Sequence, residues 1–87
     1  MDDKTSLFDV SIIKKKLVAS TLADVYNALE ERGYNPINQL VGYLISGDPG
    51  YISNYKDSRE KIQEFDRAEV MAIVLSDYIT KKWDVLA

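Results

Sequence analysis

Between Ile12 and Arg32 the apolar residues Val18, Leu22, Val25, Tyr26 and Leu29 recur three and four positions apart, the spacing of one buried stripe on an amphipathic helix. Gly33 follows the last periodic residue and stops that helix, since glycine readily takes the left-handed conformation that closes the last carbonyls. Asn35-Pro36 then reads as a start signal: asparagine accepts an early helical N–H, and proline at the first position gives up only a donor that had no partner. The second helix runs from Pro36 to Ser46. Its Ile37, Leu40, Val41, Leu44 and Ile45 make an apolar face wide enough to put it at the centre of the domain. Gly47-Asp48-Pro49-Gly50 repeats the punctuation, with a short turn after it from which Tyr51 and Ile52 pack back.

Beyond Asn54 the pattern becomes charged, and Ile62 and Phe65 are the only large apolar anchors among Lys56, Asp57, Arg59, Glu60, Lys61 and Glu64. This predicts a short, largely exposed helix. Asp66 with Glu69 three residues later resembles a capping box ahead of a last helix whose stripe is Val70, Ile73, Val74 and Tyr78. That helix should end near Lys81-Lys82, where cations suit the negative end of its dipole. Met1 to Val10 shows no sustained helical period. The expectation is an all-α fold: residues 1–10 as a flexible N-terminal tail, and residues 11–87 as one compact, helix-turn-helix-like bundle of four main helices plus a short turn.

Composition fits a small globular domain. The 87 residues are 46% hydrophobic and 29% charged, too apolar for a disordered chain. A domain this small hides only about 60% of its unfolded surface, so a dimer is expected to add burial. The net charge of −3, from 14 acidic and 11 basic side chains, argues against non-specific nucleic-acid binding, which needs excess cations. A helix-turn-helix DNA-binding regulator is the rival reading, suggested by short helices and tight turns. It meets the difficulty that Pro36 to Ser46 contains no Lys or Arg. Cysteine and histidine are absent, which removes thiolate nucleophiles, the commonest general base and the usual zinc ligands. The expectation is no catalysis, no metal and no cofactor. No apolar run reaches the ~20 residues of a membrane span, and Met1-Asp2-Asp3-Lys4 is too acidic for a signal peptide, so the cytoplasm is the expected compartment.

Several motifs could be taken for chemistry. Gly42 and Gly47 have the spacing of a phosphate-binding loop, but Asp48-Pro49 stands where lysine and a hydroxyl are required. Glu30 and Glu31 point about 100° apart on a helix and do not converge. Lys14-Lys15-Lys16 reads as a solvated first turn, with an acidic-lipid or phosphate patch as the alternative. Six tyrosines, four of them around the proline turns, are either core rings with hydroxyls at the surface or part of an interface, and Trp83 has the same two readings. Thr5 and Ser6 differ in kind, being hydroxyls in the expected tail. A phosphate on either would add about −1.5 to −2 charges and three strong acceptor oxygens.

The stretch from Gly33 to Pro49, GYNPINQLVGYLISGDP, closely resembles the centre of the IreB family of small regulatory phosphoproteins. Agreement continues through Thr21 to Tyr26 before it and from Tyr51-Ile52 through Asp66 to Glu69 after it. The resemblance implies a helical cytoplasmic homodimer without catalysis of its own. It further implies a substrate of a Ser/Thr protein kinase bearing extracellular PASTA repeats, and of the cognate phosphatase. Such proteins are tied to cell-wall synthesis and β-lactam tolerance, in some members through Clp-protease turnover of the enzyme that commits UDP-N-acetylglucosamine to peptidoglycan. The family's acceptor threonine stands in a Thr-x-x-Phe context, which Thr5-Ser6-Leu7-Phe8 matches; Ser6 is the alternative acceptor. Some members carry another threonine three residues earlier, where this chain has Asp2. The family is basic after its Gly-Asp-Pro turn, and the corresponding partner surface here is Lys56, Arg59, Lys61 and Arg67, interrupted by Glu60 and Glu64.

Overall fold

A computed structural model describes the backbone of residues 2–86 and the side chains of residues 12–81. Four α-helices follow in order: α1 (Asp2–Glu31), α2 (Pro36–Ser46), α3 (Ser58–Ile62) and α4 (Arg67–Leu86), with 3-10 turns at Pro49–Tyr51 and Tyr55–Asp57 between α2 and α3. No strand occurs among the described residues. The backbone of α1 starts ten residues before the Ile12 suggested by apolar spacing. The side chains of the expected tail, of Thr5 and Ser6, and of Trp83 lie outside the described residues.

The α1–α2 corner forms as its local signals require. Gly33 (φ +82) donates to the Glu30 carbonyl at 2.9 Å and Tyr34 to that of Leu29 at 3.0 Å, which closes α1. Asn35 Oδ1 then accepts from the Asn38 amide at 3.1 Å, and Pro36 opens α2. At the other end Gly47 (φ 78) donates to the Tyr43 carbonyl at 2.7 Å. Asp48 Oδ1 takes the Gly50 amide at 2.8 Å and so starts the next 3-10 turn. Gln39 fastens that turn to α2, accepting from the Ser53 amide (2.9 Å) and donating to the Ser53 hydroxyl (3.3 Å).

The core is Val25 and Leu29 of α1, Leu40 and Tyr43 of α2, Ile52, and Ile62 of α3, with Leu22 and Leu44 packed against it. Val18, Ala28 and Val70 are also buried. Ile62 and Ile52 therefore sit where the sequence pattern expects them. Tyr26 leaves the predicted stripe: it is exposed, and its hydroxyl lies 3.4 Å from Glu30 Oε2. α2 packs mainly on α1 and the Pro49–Tyr51 turn, so it buries one side and leaves Ile37, Val41 and Ile45 exposed. Tyr51 is 53% exposed, yet its ring lies close against α2; a Cβ at Gly42 would meet Tyr51 Cδ1 at 2.6 Å, so glycine is what admits that approach. α4 departs most from expectation. Of its predicted stripe Val70 is buried and Ile73 half-buried, while Val74 and Tyr78 are exposed. Glu69 does not simply close a capping box either; its Oε2 receives Lys14 Nζ at 3.0 Å, which ties α1 to the first turn of α4.

Candidate functional site

Two surface features stand out on this fold. The first lies where the C-terminus of α1 meets the Tyr55–Asp57 turn and α3. Glu31, the last residue of α1, has both carboxylate oxygens occupied: Oε1 by Lys56 Nζ at 2.7 Å and Oε2 by the Tyr55 hydroxyl at 3.2 Å. The Arg32 guanidinium stands over the Tyr55 ring at 4.9 Å from its centroid, and Lys56 Nζ at 5.5 Å. The hydrogen bond from Lys56 is the largest influence holding the Glu31 carboxyl below its ordinary pKa, and the same bond raises the Lys56 ammonium above its own. Both side chains are about half exposed, so the pair is screened by water and salt.

The structure divides the four sequence-predicted cations. Lys56 and Lys61 line one polar cleft of about 270 Å³, whose opposite wall is Asp24, Asn27 and Glu31 of α1. Arg59 turns its Nε inward onto the Ile52 carbonyl at 2.8 Å, bracing the loop rather than extending outward. Arg67 is committed elsewhere: its Nη1 donates to the Leu44 carbonyl at 2.9 Å, and its guanidinium covers Gly47, where a Cβ would meet Arg67 Cζ at 2.8 Å. Leu44 is in the last turn of α2, where carbonyls have no helical partner, so Arg67 caps that helix. Sequence reasoning missed both Glu31 and this role of Arg67. Neither had a local signal, because the partners lie 23 to 25 residues away.

The second surface is apolar. A groove of about 660 Å³ runs between α1 and α4, with Val18, Ala19, Leu22, Ile73, Val74 and Tyr78 in its walls and Lys15, Asp77 and Lys81 at its charged positions. Asp77 and Lys81 pair at 3.2 Å. On the other side of α4, Leu44, Met71, Val74, Leu75 and Tyr78 line a shallower and almost wholly apolar depression of about 420 Å³. Val74 and Tyr78 belong to both. Of the three adjacent lysines, Lys14 is paired with Glu69, Lys15 reaches the groove, and Lys16 is exposed.

The family model described as IreB regulatory phosphoprotein matches residues 3–80, nearly the whole chain. This chain belongs to the IreB family. The match includes Thr5 to Phe8, both punctuated turns, the Glu31 clasp and most of α4. In IreB terms, the Gly-Asp-Pro turn at Gly47 to Pro49 is the corner where α2 is capped by Arg67 and from which the chain returns to the core at Ile52. Membership makes the chain a member of a regulatory phosphoprotein family. No described helix is long and apolar enough to cross a membrane.

Proposed function

We propose that this protein is a non-enzymatic, cytoplasmic regulatory phosphoprotein, modified at Thr5 by a PASTA-type Ser/Thr kinase and restored by the cognate phosphatase. Its phosphorylation state governs peptidoglycan synthesis and β-lactam tolerance, through Clp-dependent turnover of a peptidoglycan precursor enzyme. The observation that carries this reading is the family match over residues 3–80, which includes the Thr5-x-x-Phe8 segment. Charge arithmetic supports it, because one phosphate adds about −1.5 to −2 to a net charge of −3. We place the partner contact at the cleft edged by Lys56 and Lys61, with Arg59 and Arg67 acting by bracing the loop and the end of α2.

The functional unit in this proposal is a homodimer formed through the apolar sides of α4. Val74 is 46% exposed and Tyr78 60%, and both lie on continuous apolar surface that a monomer of this size has reason to cover. The test of the phosphorylation reading is incorporation of labelled phosphate by a purified PASTA-type kinase. Wild type should be modified and Thr5→Ala should not. Equal incorporation in both would remove Thr5 from the proposal and direct the same assay to Ser6→Ala.

A further inference from the structure

Within residues 54 to 58, Lys56 and Asp57 run against backbone preference. Lys56 (φ 54, ψ 36) and Asp57 (φ 62, ψ 24) are consecutive left-handed residues, and among the described residues they are the only non-glycine positions with positive φ. The Cβ of an L residue crowds the backbone there, and lysine lacks the short polar side chain that lets aspartate or asparagine tolerate it. On both sides the chain is anchored. Ile52 and Ile62 are buried in the core, and Ser58 is fully buried with its hydroxyl on the Tyr55 carbonyl at 2.7 Å. These anchors set the ends of the segment, and the Ser58 amide and hydroxyl both close onto the Tyr55 carbonyl across residues 56 and 57, which holds the turn from within.

What grips the turn from outside is Glu31, bound to Lys56 through one oxygen and to Tyr55 through the other. We propose that Glu31 is a latch: by holding Lys56 and Tyr55 on one carboxylate it keeps residues 56 and 57 left-handed, and an acidic segment of a partner that takes Lys56 in its place lets the turn relax. The latch is built for exchange. Its two charged members are 55% and 53% exposed, so a competing carboxylate reaches Lys56 without disturbing the core. Backbone strain in the turn favours release, and the buried neighbours confine the change to residues 54–57. α3 begins at Ser58, so the change occurs at the base of the helix that carries Arg59 and Lys61.

The regulatory consequence rests on the reading of this face as the partner surface. The latch itself is tested on the isolated full chain by NMR, without kinase or partner, so its failure and the failure of that reading are separable. In wild type, the Cα and Hα shifts of residues 56 and 57 should be left-handed. In Glu31→Gln that pattern should be lost and the Asp57 amide, which donates to the Asn54 carbonyl at 3.1 Å, should exchange faster, with the Val25 and Leu29 amides unchanged. Glu31→Gln combined with Lys56→Gly should restore the left-handed shifts at 56, because glycine needs no latch. A glutamate hexapeptide titrated into wild type should reproduce the Glu31→Gln shifts, and should produce none in Lys56→Gly. Left-handed shifts and unaltered exchange in Glu31→Gln would overturn the latch; a hexapeptide without effect on wild type would overturn the acidic competitor.

Discussion

Gly47→Ala probes the corner between α2 and α4 through two separable effects. Gly47 is left-handed at φ 78, and an alanine there costs roughly 1–2 kcal/mol. The new Cβ also falls 2.8 Å from Arg67 Cζ, so the flexible guanidinium must yield and lose its bond to the Leu44 carbonyl. A hydrogen bond from a charged donor at this partly exposed site is worth about 1.5 kcal/mol, the low end of its class. The sum is about 3 kcal/mol, against a total stability of roughly 4–13 kcal/mol for a chain of this length. Urea unfolding followed by circular dichroism, at one fixed protein concentration for every variant, measures it; the midpoint should fall with little change in slope. Arg67→Ala alone should cost about 1.5 kcal/mol. The double variant should cost about 3 kcal/mol, the same as Gly47→Ala, because both changes remove one bond. Additive costs would refute the shared-bond argument. A Gly47→Ala cost below about 0.5 kcal/mol would refute the strain argument as well.

Other outcomes follow from the same geometry. Leu29→Ala, in the buried cluster with Ile52 and Ile62, should lose about 2–5 kcal/mol in the same urea assay. Asn35→Ala should cost about 1 kcal/mol by leaving the Asn38 amide without its cap. Glu31 has a lowered folded pKa, so its contribution is present above the unfolded value and fades as pH falls below about 4.5 through the folded value. Thermal melts across that window should therefore bring wild type and Glu31→Gln together at the acid end; a constant gap would contradict the pairing. Lys56, with its pKa raised, contributes below its unfolded value and loses that contribution only as pH rises beyond it, so the pair should be indifferent to pH near neutrality. Val74→Glu should yield the monomer mass in sedimentation equilibrium with helical circular dichroism retained, and a persisting dimer would move the interface off α4.

The punctuation of the chain was legible in advance. Gly33, Asn35-Pro36, Gly47 and Asp48 each act on backbone groups within five residues, and each makes the bond its type and position foretold. The buried stripe of α1 was legible for a similar reason, since Val18, Val25 and Leu29 face a single core. The proposed partner set was legible only as a list of cations. Lys56, Arg59 and Arg67 take their orientations from Glu31, the Ile52 carbonyl and the Leu44 carbonyl, none of them a helical-repeat neighbour.

The sequence by itself therefore determined where α1 stops, where α2 starts and stops and which family the chain resembles, because those signals are carried by short-range backbone chemistry and by a long run of matching residues; the start of α1 at Asp2 and the end of α4 at Leu86 it did not. Tertiary structure alone decided which apolar faces are covered. Periodicity marks Ile45, Val74 and Tyr78 as apolar, yet whether they are buried depends on how many helices surround them, and one copy of this small fold has too few. It also decided that the half-exposed Glu31 pairs with Lys56 of the Tyr55–Asp57 turn, since that contact spans 25 residues and exists only once α1 and α3 have packed on Leu29 and Ile62.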